Sequence, residues 1–324
     1  MKKRYKKHKR PTIGLALSGG SVRGLCYIGF LKVLDEEKIP VDYIAGTSIG
    51  SVIGALYCSG MHPSEMEKIV SDLNWETFMD FTAKYTGLLD GKKIERFLRK
   101  NLKVKDFKDL YIPFSAVAVD VNSGEKIIFD KGDIVQAVRA SISIPGVFTP
   151  VKIGNRLLVD GGILDPIPID ALAGKVDKVI AIDLTLPYEP FRRVKAVDTD
   201  NTIWKKFKNR FIIQEVSNIK SYLKNKKAIP GIFLKVLNPK FVFKFLSGKA
   251  FSLPPMVETV IKANHLTSNE FTRLKLEMHK PDLLIKPHID GARFIEFDKA
   301  PLLIKIGEDA ARKNIVAIRK LAKV

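Results

Sequence analysis

Histidine and cysteine are scarce: five and two occur in 324 residues. Cys26 and Cys58 lack metal-like or CxxC spacing, so neither a zinc site nor a disulfide framework is expected. Both stand in apolar surroundings and are expected as buried thiols. Long apolar runs are also missing. No segment reaches the ~18 uninterrupted apolar residues of a transmembrane helix. Residues 43–58 come closest, but Gly46, Thr47, Ser48, Gly50, Ser51 and Gly54 interrupt them. No apolar run of signal-peptide length follows the basic N-terminus. The expected location is cytoplasmic, peripheral on the inner face of a membrane.

Acidic residues are nearly absent from two segments. Residues 1–10 carry seven bases and no acid, and residues 201–250 carry twelve bases against Glu215 alone. They contribute +7 and +11 of the net +20, so the rest of the chain is almost neutral. Concentrated positive charge suits an anionic partner, a membrane surface or a nucleic acid, and it also serves plain solubility.

The hydrophobic share, 46%, is ample for a large core. Residues 12–17 read as a buried strand, and a helix is expected over 24–37, stopped by Pro40. A second strand at 41–45 and a helix at 48–59 follow. This β-α-β-α opening predicts an α/β fold: a mostly parallel central sheet with helices on both faces. Residues 62–102 read as helical decoration, and 114–121 as a strong strand followed by 126–130. A helix is expected at 133–140, and a hairpin at 151–159 closed by Gly154-Asn155. A strand at 179–183, one or two helices over 253–278, a last strand at 282–285 and an amphipathic helix at 301–322 complete the body. Between residues 188 and 252 aromatic and basic residues interleave, as at Trp204, Lys205, Lys206, Phe207, Lys208 and Phe211. The expected division is a disordered basic arm at 1–10, a catalytic domain at 11–187 and 253–324, and a basic aromatic insertion or cap at 188–252. The insert's aromatics either meet a membrane interface or pack a small core of their own.

Three short patterns carry chemistry. Gly46-Thr47-Ser48-Ile49-Gly50 lies between an expected strand and an expected helix, the context in which G-x-S-x-G lifts a serine hydroxyl out of a sheet. Elsewhere the same letters are a tight turn. Gly19-Gly20-Ser21-Val22-Arg23-Gly24 joins the first strand to the first helix and exposes backbone amides, which can bind an anion. Its spacing fits neither G-x-G-x-x-G nor a P-loop, so an oxyanion hole is the better use. Asp160-Gly161-Gly162 follows a strand and reads as a turn or as a placed carboxylate. Among the histidines, His265, His279 and His288 come late, where a Ser…Asp…His triad would put its base, but none has a flanking signature.

Taken in order, Gly19-Gly20-x-x-Arg23-Gly24, Gly46-x-Ser48-x-Gly50 and Asp160-Gly161-Gly162 resemble the signature blocks of patatin-like phospholipases. Residues 139–148, Arg-Ala-Ser-Ile-Ser-Ile-Pro-Gly-Val-Phe, resemble the family's block ahead of its DGG. The resemblance covers residues 12–187 and, more loosely, 253–324. It implies a Ser–Asp dyad rather than a triad, with Ser48 as nucleophile and Asp160 as the activating group. It also implies an oxyanion hole from the backbone of Gly19, Gly20 and their neighbours Ser21, Val22, Arg23 and Gly24. Two positions depart from the family: Ser21 replaces a third glycine, and Tyr27 replaces a common histidine. Arg23 either orients the loop or meets a lipid phosphate. The implied activity is phospholipase A-type cleavage of fatty-acyl esters through an acyl-enzyme, without metal or cofactor. A thioesterase, general esterase or acyltransferase would use the same dyad. The expected partners are a phospholipid or other acyl ester and an anionic membrane surface. A non-catalytic binder of membrane or nucleic acid has no need of Ser48 and Asp160 together, which argues against nucleic acid.

Overall fold

The structure, a computed structural model, describes residues 10–73, 78, 80, 82, 86–185, 255–289 and 297–324. The chain divides into two units, Met1–Tyr188 with Met256–Val324, and Glu189–Pro255. The basic arm, apart from Arg10, and the insertion expected at 188–252 lie outside the described residues.

The centre is an eight-stranded sheet in the order β10-β9-β1-β2-β4-β8-β7, with β5 also paired to β4. Its strands are β1 (Ile13–Leu17), β2 (Tyr43–Thr47), β4 (Phe114–Asp120), β5 (Glu125–Phe129), β7 (Val151–Ile153), β8 (Arg156–Asp160), β9 (Lys178–Ile182) and β10 (Leu283–Ile285). From β10 to β4 the pairs are parallel, and β5, β8 and β7 add antiparallel pairs. Strands covered on both faces need apolar side chains at every position. The sequences IGLAL of β1 and FSAVAVD of β4 are buried throughout.

Alternation sorts the side chains by face. Ile13, Leu15, Leu17, Ile44, Phe114, Ile180 and Ile182 join the larger core with α1 (Cys26–Glu36), α2 (Ile49–Cys58) and α7 (Ala300–Ala322). Ala16, Ala45, Val117 and Ala181 join a smaller one with Ile167, Ile169 and Leu172. Leu276 of α6 (Pro255–Met278) packs against that second core. The helices α1 and α7 cross through glycines. A Cβ at Gly29 would run into the Ile304 carbonyl, and one at Gly307 into that of Cys26.

The helix expected from residue 24 opens as a tight 3-10 turn, Ser21–Leu25, before α1 begins. The stretch expected as purely helical holds α3 (Pro63–Ser71), α4 (Lys92–Asn101) and also a strand, β3 (Gly87–Leu89). It pairs in parallel with β6 (Gly146–Phe148), just past α5 (Ile134–Ser141). Three-residue strands are too short for an alternating pattern to show. Among the described residues no helix is long and apolar enough to cross a membrane.

Candidate active site

Ser48 and Asp160 lie 112 positions apart and meet through one strand. Thr47, the last residue of β2, pairs with Val117 of β4. Asp160, the last residue of β8, pairs with Ala118, the next residue of β4. The strand β2 runs parallel to β4 and β8 antiparallel, so their two ends converge. Ser48 Oγ donates a hydrogen bond to Asp160 Oδ2 at 2.6 Å.

The turn that presents Ser48 is strained. Its φ is 54° and ψ −124°, a region that favours glycine and costs a serine on the order of 1–3 kcal/mol. The flanking glycines make the turn possible. A Cβ at Gly46 would strike the Gly50 carbonyl, and a Cβ at Gly50 would strike that of Leu17. Polar bonds hold the turn: the Ser48 amide donates to Ser141 Oγ at 3.0 Å, and Ser51 Oγ donates to the Ser48 carbonyl at 2.6 Å.

Asp160 is buried, and burial pushes its carboxyl up to about 6. The bonds from Ser48 and from the Gly162 amide, which donates to Oδ1 at 2.7 Å, pull the other way and only partly offset this. The Asp160 amide donates to the Ser143 carbonyl at 3.0 Å. Ser143 is fixed in turn by the buried Arg139, whose Nη1 donates to Ser143 Oγ at 2.6 Å. The block at residues 139–148 thus braces both members of the pair, with Ser141 on one and Ser143 on the other. Composition gave no sign of these roles; the Ser-x-Ser spacing after a helix was the available signal.

The glycine loop lies against the pair. A Cβ at Gly19 would stand 3.4 Å from Ser48 Cβ. Gly19, Gly20, Ser21 and Arg23 line an open cleft together with Ser48, Asp160 and Gly162. Val22 and Gly24 are buried behind it, Gly24 against the Ile49 side chain, and Gly161 packs on the Val117 carbonyl. The Gly19 amide is already taken by the Pro166 carbonyl at 2.9 Å. The Gly20 amide has no hydrogen-bond partner among the described residues. Ser21, where the family places glycine, adopts φ 53°. Tyr27 is fully buried and its hydroxyl donates to the Ser18 carbonyl at 2.8 Å, bracing the strand end that leads into the loop.

The remaining wall was not foreseen. Ile261, Asn264, His265, Ser268 and Asn269 of α6 face the cleft, and Ser268 Oγ donates to the Gly162 carbonyl at 2.6 Å. Burial lowers the His265 imidazole, and the charge of Arg23 lowers it further, both favouring the neutral ring. Neither His279 nor His288 lines the cleft, and His62 caps α3 through the Ser64 amide. No histidine bonds to Ser48 among the described residues. Nor is any group of three or more His, Cys, Asp and Glu placed there to hold a metal.

Fold and site together define a mixed α/β protein with a serine–carboxylate pair at the carboxyl ends of its central strands. Residues 15–173, just under half of the chain, match the model of the patatin-like phospholipases. An uncharacterized NTE family protein of Mycobacterium tuberculosis is 36% identical over 178 residues, 54% of this chain and 49% of that protein. A second one from the same organism is 26% identical over 309 residues, 94% of this chain and 47% of its own length. The mouse patatin-like phospholipase domain-containing protein 6 is 35% identical over 185 residues, 53% of this chain and 13% of that protein. The chain thus spans about half or less of the length of these relatives. Among solved structures, VipD from Legionella pneumophila shares the fold, with TM-score 0.51 and 14% identity over 95% of this chain and 67% of that one.

Proposed function

We propose that the protein is a lipid acyl hydrolase of phospholipase A type, with Ser48 as nucleophile and Asp160 as base. The observation that carries this reading is the 2.6 Å bond from Ser48 Oγ to a buried carboxylate raised to about 6. A carboxylate at its ordinary value is a feeble base, and raising it toward working pH strengthens it while leaving it mostly ionised. Asp160 Oδ2 takes the proton as Ser48 Oγ attacks the ester carbonyl. The Gly20 amide and the Ile49 and Gly50 amides at the start of α2, which have no hydrogen-bond partner among the described residues, stabilise the oxyanion. Asp160 returns its proton to the leaving alcohol, and an acyl-enzyme remains. Water, deprotonated by the same carboxylate, then releases the fatty acid. The net +20 charge supports action at an anionic membrane surface, where each nearby Lys or Arg contributes about 1 kcal/mol.

The test is hydrolysis of a soluble chromogenic ester and of mixed phospholipid vesicles by the wild type, Ser48→Ala and Asp160→Asn. Both variants are expected to stay folded and to lose at least ~10³-fold in kcat. In the wild type, kcat/KM should fall about tenfold per pH unit below about 6, as Asp160 becomes protonated. Full activity in Asp160→Asn would put the base elsewhere.

A further inference from the structure

Next to the pair lies a group of charges that the mechanism above leaves unused. Asp165 is completely buried. Its Oδ2 accepts from Lys126 Nζ of β5 at 2.9 Å, and Lys275 Nζ of α6 lies 3.4 Å from its Oδ1. Asp170 Oδ2 shares both lysines, at 2.5 and 2.8 Å. The group is neutral, two lysines against two aspartates, and it joins three elements far apart in sequence. The backbone of Asp165 is equally committed. Its amide donates to the Gly161 carbonyl at 2.8 Å, and its carbonyl accepts from Thr47 Oγ1 at 2.8 Å. Asp165 therefore touches the residue before Ser48 and the residue after Asp160. Ser268 and Lys275 stand seven residues apart on α6, two turns along one face, so the helix grips the same loop twice.

We propose that Asp165, held by Lys126 and Lys275, is a positioning residue that keeps the Asp160–Asp165 loop seated against Thr47 and so keeps Asp160 Oδ2 on Ser48 Oγ. The inference rests on the dyad reading. Taking Asp165 wholly, and Lys126, Lys275 and Asp170 partly, out of water is a poor way to gain stability, because an apolar group of the same volume does as well. Their use here is geometric. A misplacement of ~1 Å at a reacting group can cost ~10²-fold in rate.

Asp165→Asn alone would leave two half-buried lysines sharing one aspartate. The decisive variant is therefore Asp165→Asn with Lys126→Met, which leaves Lys275 paired with Asp170 and restores neutrality. Hydrolysis of a soluble ester and the rate of Ser48 labelling by a fluorophosphonate are measured beside thermal melts, with Ser48→Ala in parallel. The expected result is a folded double variant whose kcat falls ~10–100-fold, whose KM stays within ~2-fold, and whose labelling slows by the same factor. Wild-type kcat and labelling in that variant, or a loss matched by its unfolded fraction, overturns the proposal while an inert Ser48→Ala leaves the dyad standing. Wild-type activity in Ser48→Ala sinks the dyad reading and this proposal with it.

Discussion

The two faces of the central sheet are packed by different chemistry. On one, Ile13, Leu15, Leu17, Ile44, Phe114 and Ile182 meet regular helices, and α1 and α7 close together at Gly29 and Gly307. On the other, the sheet offers Ala16, Ala45, Val117 and Ala181, and its cover includes short turns. Small side chains let irregular backbone come close, and irregular backbone can carry a DGG turn and a row of charges. The first face stores stability. The second gives up apolar area to hold groups that are costly to bury: Asp165 and the lysines that pair with it.

That division can be broken from either side. The largest expected effect is on the first face. Phe30 is fully buried in α1, and Phe30→Ala should cost about 3–5 kcal/mol by denaturant titration. The kcat per folded molecule should stay at its wild-type value; a change in chemistry of tenfold would mean that the faces are not separate. Next comes Asp160→Asn, expected to stabilise the protein while removing its activity. A carboxyl raised to about 6 in the folded state gives full stability below its unfolded value near 4 and loses it as pH rises through 6. Melts of wild type and variant should nearly coincide at pH 4, and by pH 7.5 the variant should lead by up to about 3 kcal/mol. A gap that narrows with rising pH contradicts the raised carboxyl. The smallest effect is Ser141→Ala, which frees the Ser48 amide. About tenfold in kcat is expected, near 1.4 kcal/mol, with a melting shift of only a few degrees. No change in kcat would mean that Gly46 and Gly50 hold the elbow unaided.

Much of this was legible because the informative residues are local. A run such as IGLAL, a Gly-Thr-Ser-Ile-Gly between strand and helix, and an Asp-Gly-Gly after a strand each declare a backbone event within a few residues. Ser48, Asp160 and the loop from Gly19 to Gly24 come from such signals, and the alternation of β1 reports both of its faces. The contributions of Ser141, Ser143, Tyr27 and α6 were not legible. Ser141 and α6 act through bonds to backbone far away in sequence: Ser141 holds the Ser48 amide across 93 positions, and Ser268 reaches the Gly162 carbonyl across 106. A side chain that serves a remote carbonyl leaves no periodicity. The strand β3 escaped for a related reason, since its three residues owe their conformation to β6.

The pairing of Thr47 with Val117 and Asp160 with Ala118 has a wider consequence. Alignment of the two reactive groups is quantised by the residue spacing of a single strand, about 3.3 Å per step. Loops joining the strands can grow or shrink without retuning the distance between serine and carboxylate, because neither loop length enters it. Loss of one residue inside β4 would shift one partner a full step past the other and turn side chains to the opposite face. Variation in chain length is thus tolerated in the connecting loops between the two residues, and forbidden over the seven positions of β4 and in the block at 139–148 that braces the pair.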